Sequence, residues 1–288
     1  MNGVSGTVSS EAAGWRHLRH DLSVAVAIFL CYVFMSDRLH EALQALVALL
    51  LLGAMVFQDR LLAAWQTWAC VAVTFGAAIA MRPLDMANHH FLLTYASLAL
   101  AVSLSGSPEE RHACLRTNAR LLLVALMGVA TLQRLLQPTF MGGGFIGYEL
   151  ATGGFCRPIL TAFPHAAEIM AENRGLSEAL RRLPPGELGS VTLAPPFPSF
   201  ELVTMSFVVA ILAIEAWICL TLLLFPRKLL PHLSILVFAG TLAVLRQELT
   251  FISVVCMLGL FGSDPERKVL RAVYGILGIL FAVAPLKV

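Results

Sequence analysis

LLAAWQTWACVAVTFGAAIAM, residues 61–81, carries no charged side chain from Leu61 to Met81. At about 1.5 Å of rise per residue, a helix of that length matches roughly 30 Å of hydrocarbon. Similar apolar runs lie on either side. Leu22–Ser36 and Ala42–Phe57 come before it, and Phe91–Ser107 and Leu121–Gln133 follow. After a longer polar interval come Leu202–Phe225, Leu229–Leu245, Leu249–Gly262 and Ala272–Leu286. Several fall short of the ~20 residues a span needs, and Arg or Lys snorkelling at their ends would complete them. The expected fold is all-α, a polytopic transmembrane helical bundle of about eight or nine spans.

Composition points the same way. Of 288 residues, 58% are hydrophobic and 13% charged, against roughly 45–50% and about 25% in soluble domains. This is the composition of an integral membrane protein. A formal charge of +2, with basic residues at the ends of apolar runs, gives no footprint for nucleic acid. The six cysteines form no C-x-x-C pair. Cys114 and Cys156 fall in expected loops, and whether they pair stays open.

The expected organisation is a polar N-terminal tail over 1–21, transmembrane helices 1–5 over 22–136, an extramembrane segment over 137–200, and C-terminal transmembrane helices over 201–288. No cleavable signal sequence is evident. The 137–200 segment contains an amphipathic helix at about 165–183. Its apolar face is Ile169, Leu176, Leu180 and Leu183, and Pro184-Pro185-Gly186 ends it. It suits either a helix lying on the bilayer or a cap over the bundle mouth. Counting Lys and Arg in short loops puts the N-terminus in the cytoplasm, with Arg60, Arg116, Arg120, Arg227, Arg267 and Arg271 on that side.

Ionisable groups within apolar runs carry the functional signal, because each costs about 2.5–3.5 kcal/mol at a helix centre. Glu215 lies deep in the run that begins at Leu202. It reads as a site carboxylate, or equally as one half of a helix-to-helix polar contact. Asn88, His89 and His90 open the fourth run. Adjacent helical positions point about 100° apart, so at most one of the two imidazoles is expected to face the interior. There it could shuttle a proton or bond a substrate; otherwise the pair is interfacial. Arg134 closes the fifth run and either snorkels or holds an anionic group such as Glu215. No metal-ligand spacing occurs. Gly142-Gly143-Gly144 lacks the Lys-Ser/Thr of a phosphate loop and reads as a tight turn, as does Arg246-Gln247-Glu248.

Three segments, taken in order, resemble the membrane domain of vitamin K-dependent gamma-glutamyl carboxylase and its bacterial relatives, the HTTM family. Asn88-His89-x-Phe91-Leu92 resembles the family's Asn-His-x-Tyr-Leu helix start. The segment from Ala130 to Leu135, with Phe140 and Gly142, resembles its Gly-(Leu/Val)-x-Lys-Leu…(Trp/Phe)-x-x-Gly segment. Glu215 with Leu222, Leu223, Leu224 and Arg227 resembles its Glu…Leu-Leu…Arg helix. The resemblance spans about residues 20–263. It implies a bacterial inner-membrane protein with an interior pocket for a quinone or another lipid.

In that family a Lys deprotonates the reduced quinone; here Arg134 occupies the corresponding position. The family His expected near Gly240 to Ala243 and the large lumenal substrate-binding domain have no counterpart. The resemblance therefore implies a retained pocket, or help to a small secreted peptide, without ordinary carboxylation. Two alternatives stand beside it. One is an active quinol-dependent oxidoreductase or carboxylase-like enzyme, with His89 as base and Arg134 against an oxyanion; the candidate cofactor contacts are Asn88, His89 and Arg134. The other is a structural subunit of a membrane complex. Expected partners are the lipid bilayer and a peptide or membrane protein, with no nucleic acid.

Overall fold

A computed structural model describes residues 5–35, 40–83, 88–184, 187, 189–246 and 248–284, with side chains from residue 15 onward except those of Asp59 and Asn88. Regular structure among the described residues is entirely helical. In order the helices are α1 (Ser5–Met35), α2 (Glu41–Val56), α3 (Trp65–Met81), α4 (Asn88–Ser105), α5 (Pro108–Leu136), α6 (Pro138–Met141), α7 (Gly144–Thr152), α8 (Arg157–Leu160), α9 (Pro164–Arg181), α10 (Phe200–Leu224), α11 (Leu229–Leu245), α12 (Leu249–Gly262) and α13 (Lys268–Val283). A π-helical turn, Gln58–Leu62, precedes α3.

Three stretches are long and apolar enough to cross a membrane: Trp15–Met35, Pro108–Leu136 and Phe200–Leu224. Five more apolar helices are shorter. Along α10 the large side chains of Leu202, Val209, Trp217, Leu220 and Leu224 are exposed, which a soluble surface would not tolerate as one contiguous stripe. This is a membrane protein.

The run 61–81 does not form one helix. It breaks at Ala63 and Ala64, where the backbone at Ala64 turns extended. The break is satisfied internally, because the buried Trp68 indole N–H donates to Leu62 O at 3.0 Å and Thr67 N donates to Ala64 O at 3.1 Å. A lone peptide carbonyl inside an apolar layer would cost several kcal/mol, on the order of 2–7. The expected tail also needs correction. Residues 5–21 form the first half of α1, with Leu18 and Asp21 already buried.

Local sequence explains other boundaries. Ser107-Pro108-Glu109-Glu110 opens α5 with proline in the first turn and Ser107 Oγ 3.0 Å from Glu110 Oε2. Gln137, preceding Pro138, is forced extended and ends the helix.

The chain divides into two compact units. The first comprises Met1–Ala125, Thr221–Ala239 and Leu249–Val288; the second comprises Leu126–Leu220 and Gly240–Glu248. In the first unit α3 packs along α4 and α12 along α13, while α1 touches α2, α12 and α13. Phe29, Tyr32, Trp68 and Phe75 form its aromatic centre through edge and tilted contacts 5.7–6.0 Å apart. A Cβ at Gly259 would run into the Tyr274 ring, so α12 and α13 approach through a residue without a side chain. The buried Asp21–Arg271 ion pair ties α1 to α13. In the second unit α7 packs on α6 and α9. Phe140, Ile146, Leu150, Phe155, Cys156 and Val208 form its core.

Candidate functional site

Arg134 and Glu215 meet in the second unit. Gly128 of α5 lies against Cys219 of α10, where a Cβ would stand 3.3 Å from its Sγ. From that contact Arg134 lies about one and two-thirds turns onward along α5, and Glu215 about one turn back along α10. The two side chains converge, and Arg134 Nη1 donates to Glu215 Oε1. Glu215 is 3% exposed and Arg134 28%. Among the described residues Glu215 Oε2 is buried with no hydrogen-bond partner. A carboxylate oxygen in that state remains an open acceptor, because burial removes the water that would otherwise satisfy it.

The guanidinium has a second support. Arg134 Cζ lies 5.4 Å from the centre of the buried Phe140 ring. Phe140 stacks on Phe145 at 6.2 Å, and Arg246 caps Phe145 at 5.6 Å while pairing with Glu248 at 2.8 Å. Two cations therefore close the ends of a two-ring stack, each contact attracted by the ring quadrupole. Gln247, read together with Arg246 and Glu248 as an interfacial turn, lies outside the described residues.

The triple-glycine segment forms a tight turn between α6 and α7, as its sequence suggests. Gly143 has φ +77° and approaches α10 so closely that a Cβ would stand 3.0 Å from Thr204 Cγ2. Only glycine meets both demands without strain. Beside the turn lies an open recess of about 440 Å³, lined by Gly143, Gly147, Tyr148, Phe200, Glu201 and Thr204, among others. Thr204 Oγ1 is buried and has no partner among the described residues.

The helix expected at 165–183 is α9, but it buries a different face. Ala166, Met170, Asn173 and Ser177 point inward, while Leu176 and Leu183 are exposed. Polar bonds set this orientation. Asn173 Nδ2 donates to Ala151 O at 2.9 Å and Ala194 O at 2.8 Å, and Asn173 Oδ1 accepts from Ala194 N at 2.9 Å. Ser177 Oγ and Tyr148 OH are 2.6 Å apart, and Arg181 Nη2 donates to the same Tyr148 oxygen. These residues escaped the sequence reading; the one available signal was an amide in mid-helix, where Asn is a weak helix former without a partner.

His89 belongs to the first unit. The imidazole that faces inward is His90, which is buried, with His89 half-buried beside it. The two rings stack 4.8 Å apart, and both meet the Tyr32 ring edge-on at 5.3–5.4 Å. The 100° step between neighbours therefore does not part them, because both rings reach the Tyr32 ring. The side chain of Asn88 lies outside the described residues. Of the three nominated site residues, the structure thus brings Arg134 and Glu215 into contact.

None of the six cysteines, Cys114 and Cys156 included, is in a disulfide. Burial pushes the Cys156 thiol up to about 11. No three His, Cys, Asp or Glu side chains among the described residues converge as metal ligands. No family model, curated protein or solved structure matches the chain.

Proposed function

We propose that this chain is a multi-pass, HTTM-like protein of the bacterial cytoplasmic membrane, with its N-terminus inside, whose second unit binds a quinone or a similar hydroxyl-bearing lipid without carboxylating anything. The observation that carries this reading is the buried Glu215 Oε2, which has no partner among the described residues, beside Arg134. The residue pair fits both redox forms of such a ligand. Arg134 supplies N–H donors to a carbonyl, and Glu215 Oε2 accepts from a hydroxyl. The partial exposure of Arg134 leaves the guanidinium as the approachable member of the pair. A bound quinone would supply reversible two-electron, two-proton chemistry.

The protein's own part is to hold the ring and neutralise charge. A guanidinium carries hydrogen-bond donors only and offers no acceptor for a quinol's proton. This supports a binding role over one in which Arg134 itself acts as the base.

Trp217, two residues from Glu215 on α10, offers a fluorescence reporter. Purified full-chain protein titrated with a short-chain naphthoquinone is expected to show saturable tryptophan quenching. Glu215→Gln should weaken it by about tenfold, the worth of one charge-assisted bond. Oxygen uptake with reduced quinone should be absent in wild type. Non-saturable quenching that Glu215→Gln leaves unchanged would end the binding reading. Quinol-dependent oxygen uptake by wild type that His89→Ala abolishes would make the protein an enzyme instead.

A further inference from the structure

The first unit contains a second concentration of charge, unconnected with Glu215. Where α12 gives way to α13, Asp264 receives three arginines. Arg116 Nη1 lies 2.7 Å from Asp264 Oδ1, Arg120 Nη2 lies 3.5 Å from the same oxygen, and Arg267 Nε lies 4.0 Å from Oδ2. One carboxylate thus faces three guanidiniums, leaving a surplus of positive charge. Asp21, a buried carboxylate of the same unit, is committed to Arg271. Glu266 and Lys268 in the same turn are exposed and oppose each other in sign.

The cluster is held in place. Arg120 Nε donates to Gly262 O at 2.7 Å, and its Cγ lies so close to Gly262 that a Cβ there would stand at 3.3 Å. Arg267 Nη2 donates to Arg227 O at 2.7 Å. Arg120 is 13% exposed and Arg116 26%, so neither floats in water as a surface arginine does. A guanidinium carries five N–H donors; the protein bonds of these three use only a minority of theirs among the described residues. One turn ahead of Arg116 on α5, His112 buries an Nε2 that also has no partner among the described residues.

A cluster built solely to pair charges would match its carboxylates to its guanidiniums. This one has unused, fixed donors and uncompensated positive charge at the polar ends of three apolar helices. Planar arginine forks suit phosphate oxygens, and basic pockets between helix ends take anionic headgroups. We propose that Arg116, Arg120 and Arg267, arranged around Asp264, bind a phosphate group. Its sources are an anionic phospholipid headgroup or free phosphate.

The internal carboxylate makes the test sensitive to sign. Asp264 competes with an incoming phosphate for the same donors, so Asp264→Asn is expected to tighten binding by about tenfold, whereas Arg267→Gln should weaken it by about tenfold. Full-chain protein in detergent would be titrated with dioleoyl phosphatidylglycerol, dioleoyl phosphatidylcholine and sodium phosphate, following the thermal midpoint and lipid retention by native mass spectrometry. Preference for phosphatidylglycerol over phosphatidylcholine, with phosphate inert, identifies a lipid site. Response to sodium phosphate alone identifies a soluble anion. Equal response to both lipids and none to phosphate overturns the proposal. So does failure of both variants to shift affinity while each elutes as wild type on gel filtration. If Asp264→Asn does not fold, the Arg267→Gln arm decides alone, since Arg267 is 30% exposed.

Discussion

Arg134→Ala should be the most damaging single change in the second unit, and its cost follows from asymmetric burial. Removing the guanidinium leaves Glu215, 3% exposed, without its counter-charge. Stripping one partner from a buried pair costs about 3–5 kcal/mol. The lost contact over Phe140 at 5.4 Å adds on the order of 0.5–1 kcal/mol. Glu215→Gln differs. Arg134 keeps Phe140, and with 28% of its side chain already exposed it can reach water or headgroups along its own stem. That change should cost about 1–2 kcal/mol. The double variant Arg134→Met/Glu215→Leu removes both charges and fills the volume, and should return to within about 1 kcal/mol of wild type. Thermal midpoints of full-chain protein in a mild detergent would rank the four proteins. Equal losses in the two single variants, or a double variant no better than Arg134→Ala, would refute the picture of a desolvated pair.

Two further outcomes follow from the same unit. Asn173→Ala deletes three bonds to the backbone of Ala151 and Ala194 and should cost about 2–4 kcal/mol, because the groups left behind include buried ones; limited trypsin digestion should then cut faster at Arg181 and Arg182. The Cys156 thiol, buried and raised to about 11, should hold roughly one thiolate per thousand at pH 8. Its labelling by N-ethylmaleimide, followed by peptide mass spectrometry, should stay low at pH 8 and climb only as pH approaches 11. Fast labelling at pH 8 would show the site to be open.

Helical identity was legible because apolar runs have no strand-like alternation and because start and stop residues are strong. Gly142 to Gly144 announced their turn, whereas the expected fifth run began at Leu121, well after α5 opens at Pro108. The Arg134–Glu215 contact was half-legible. Two opposite charges stranded in apolar runs are natural partners, although only the fold could place Gly128 against Cys219 and so bring them into register. The break at Ala63 and Ala64 was illegible because neither residue is a breaker; bonds from the Trp68 indole and Thr67 N satisfy it. Periodicity chose the wrong face of α9 because it weighs Leu176 and Leu183 by greasiness, while the helix orients through Asn173 and Ser177. His89 was preferred to His90 on pattern alone, and Tyr32 gathers both.

The Arg134–Glu215 contact also constrains how the chain is made. Its halves are 81 residues apart in sequence, so at about 5–20 residues per second a ribosome takes roughly 4–16 seconds to deliver the second after the first. Until then Arg134 must wait at the end of its helix, close enough to the headgroups to stay hydrated. When α10 emerges, Glu215 sits in the middle of the stretch that has to leave the translocation channel. The carboxylate therefore enters the bilayer most readily alongside α5, whose waiting guanidinium neutralises it. Insertion of α10 is thereby coupled to the presence of α5, and Arg134→Ala should lower the yield of inserted protein as well as the stability of what is recovered.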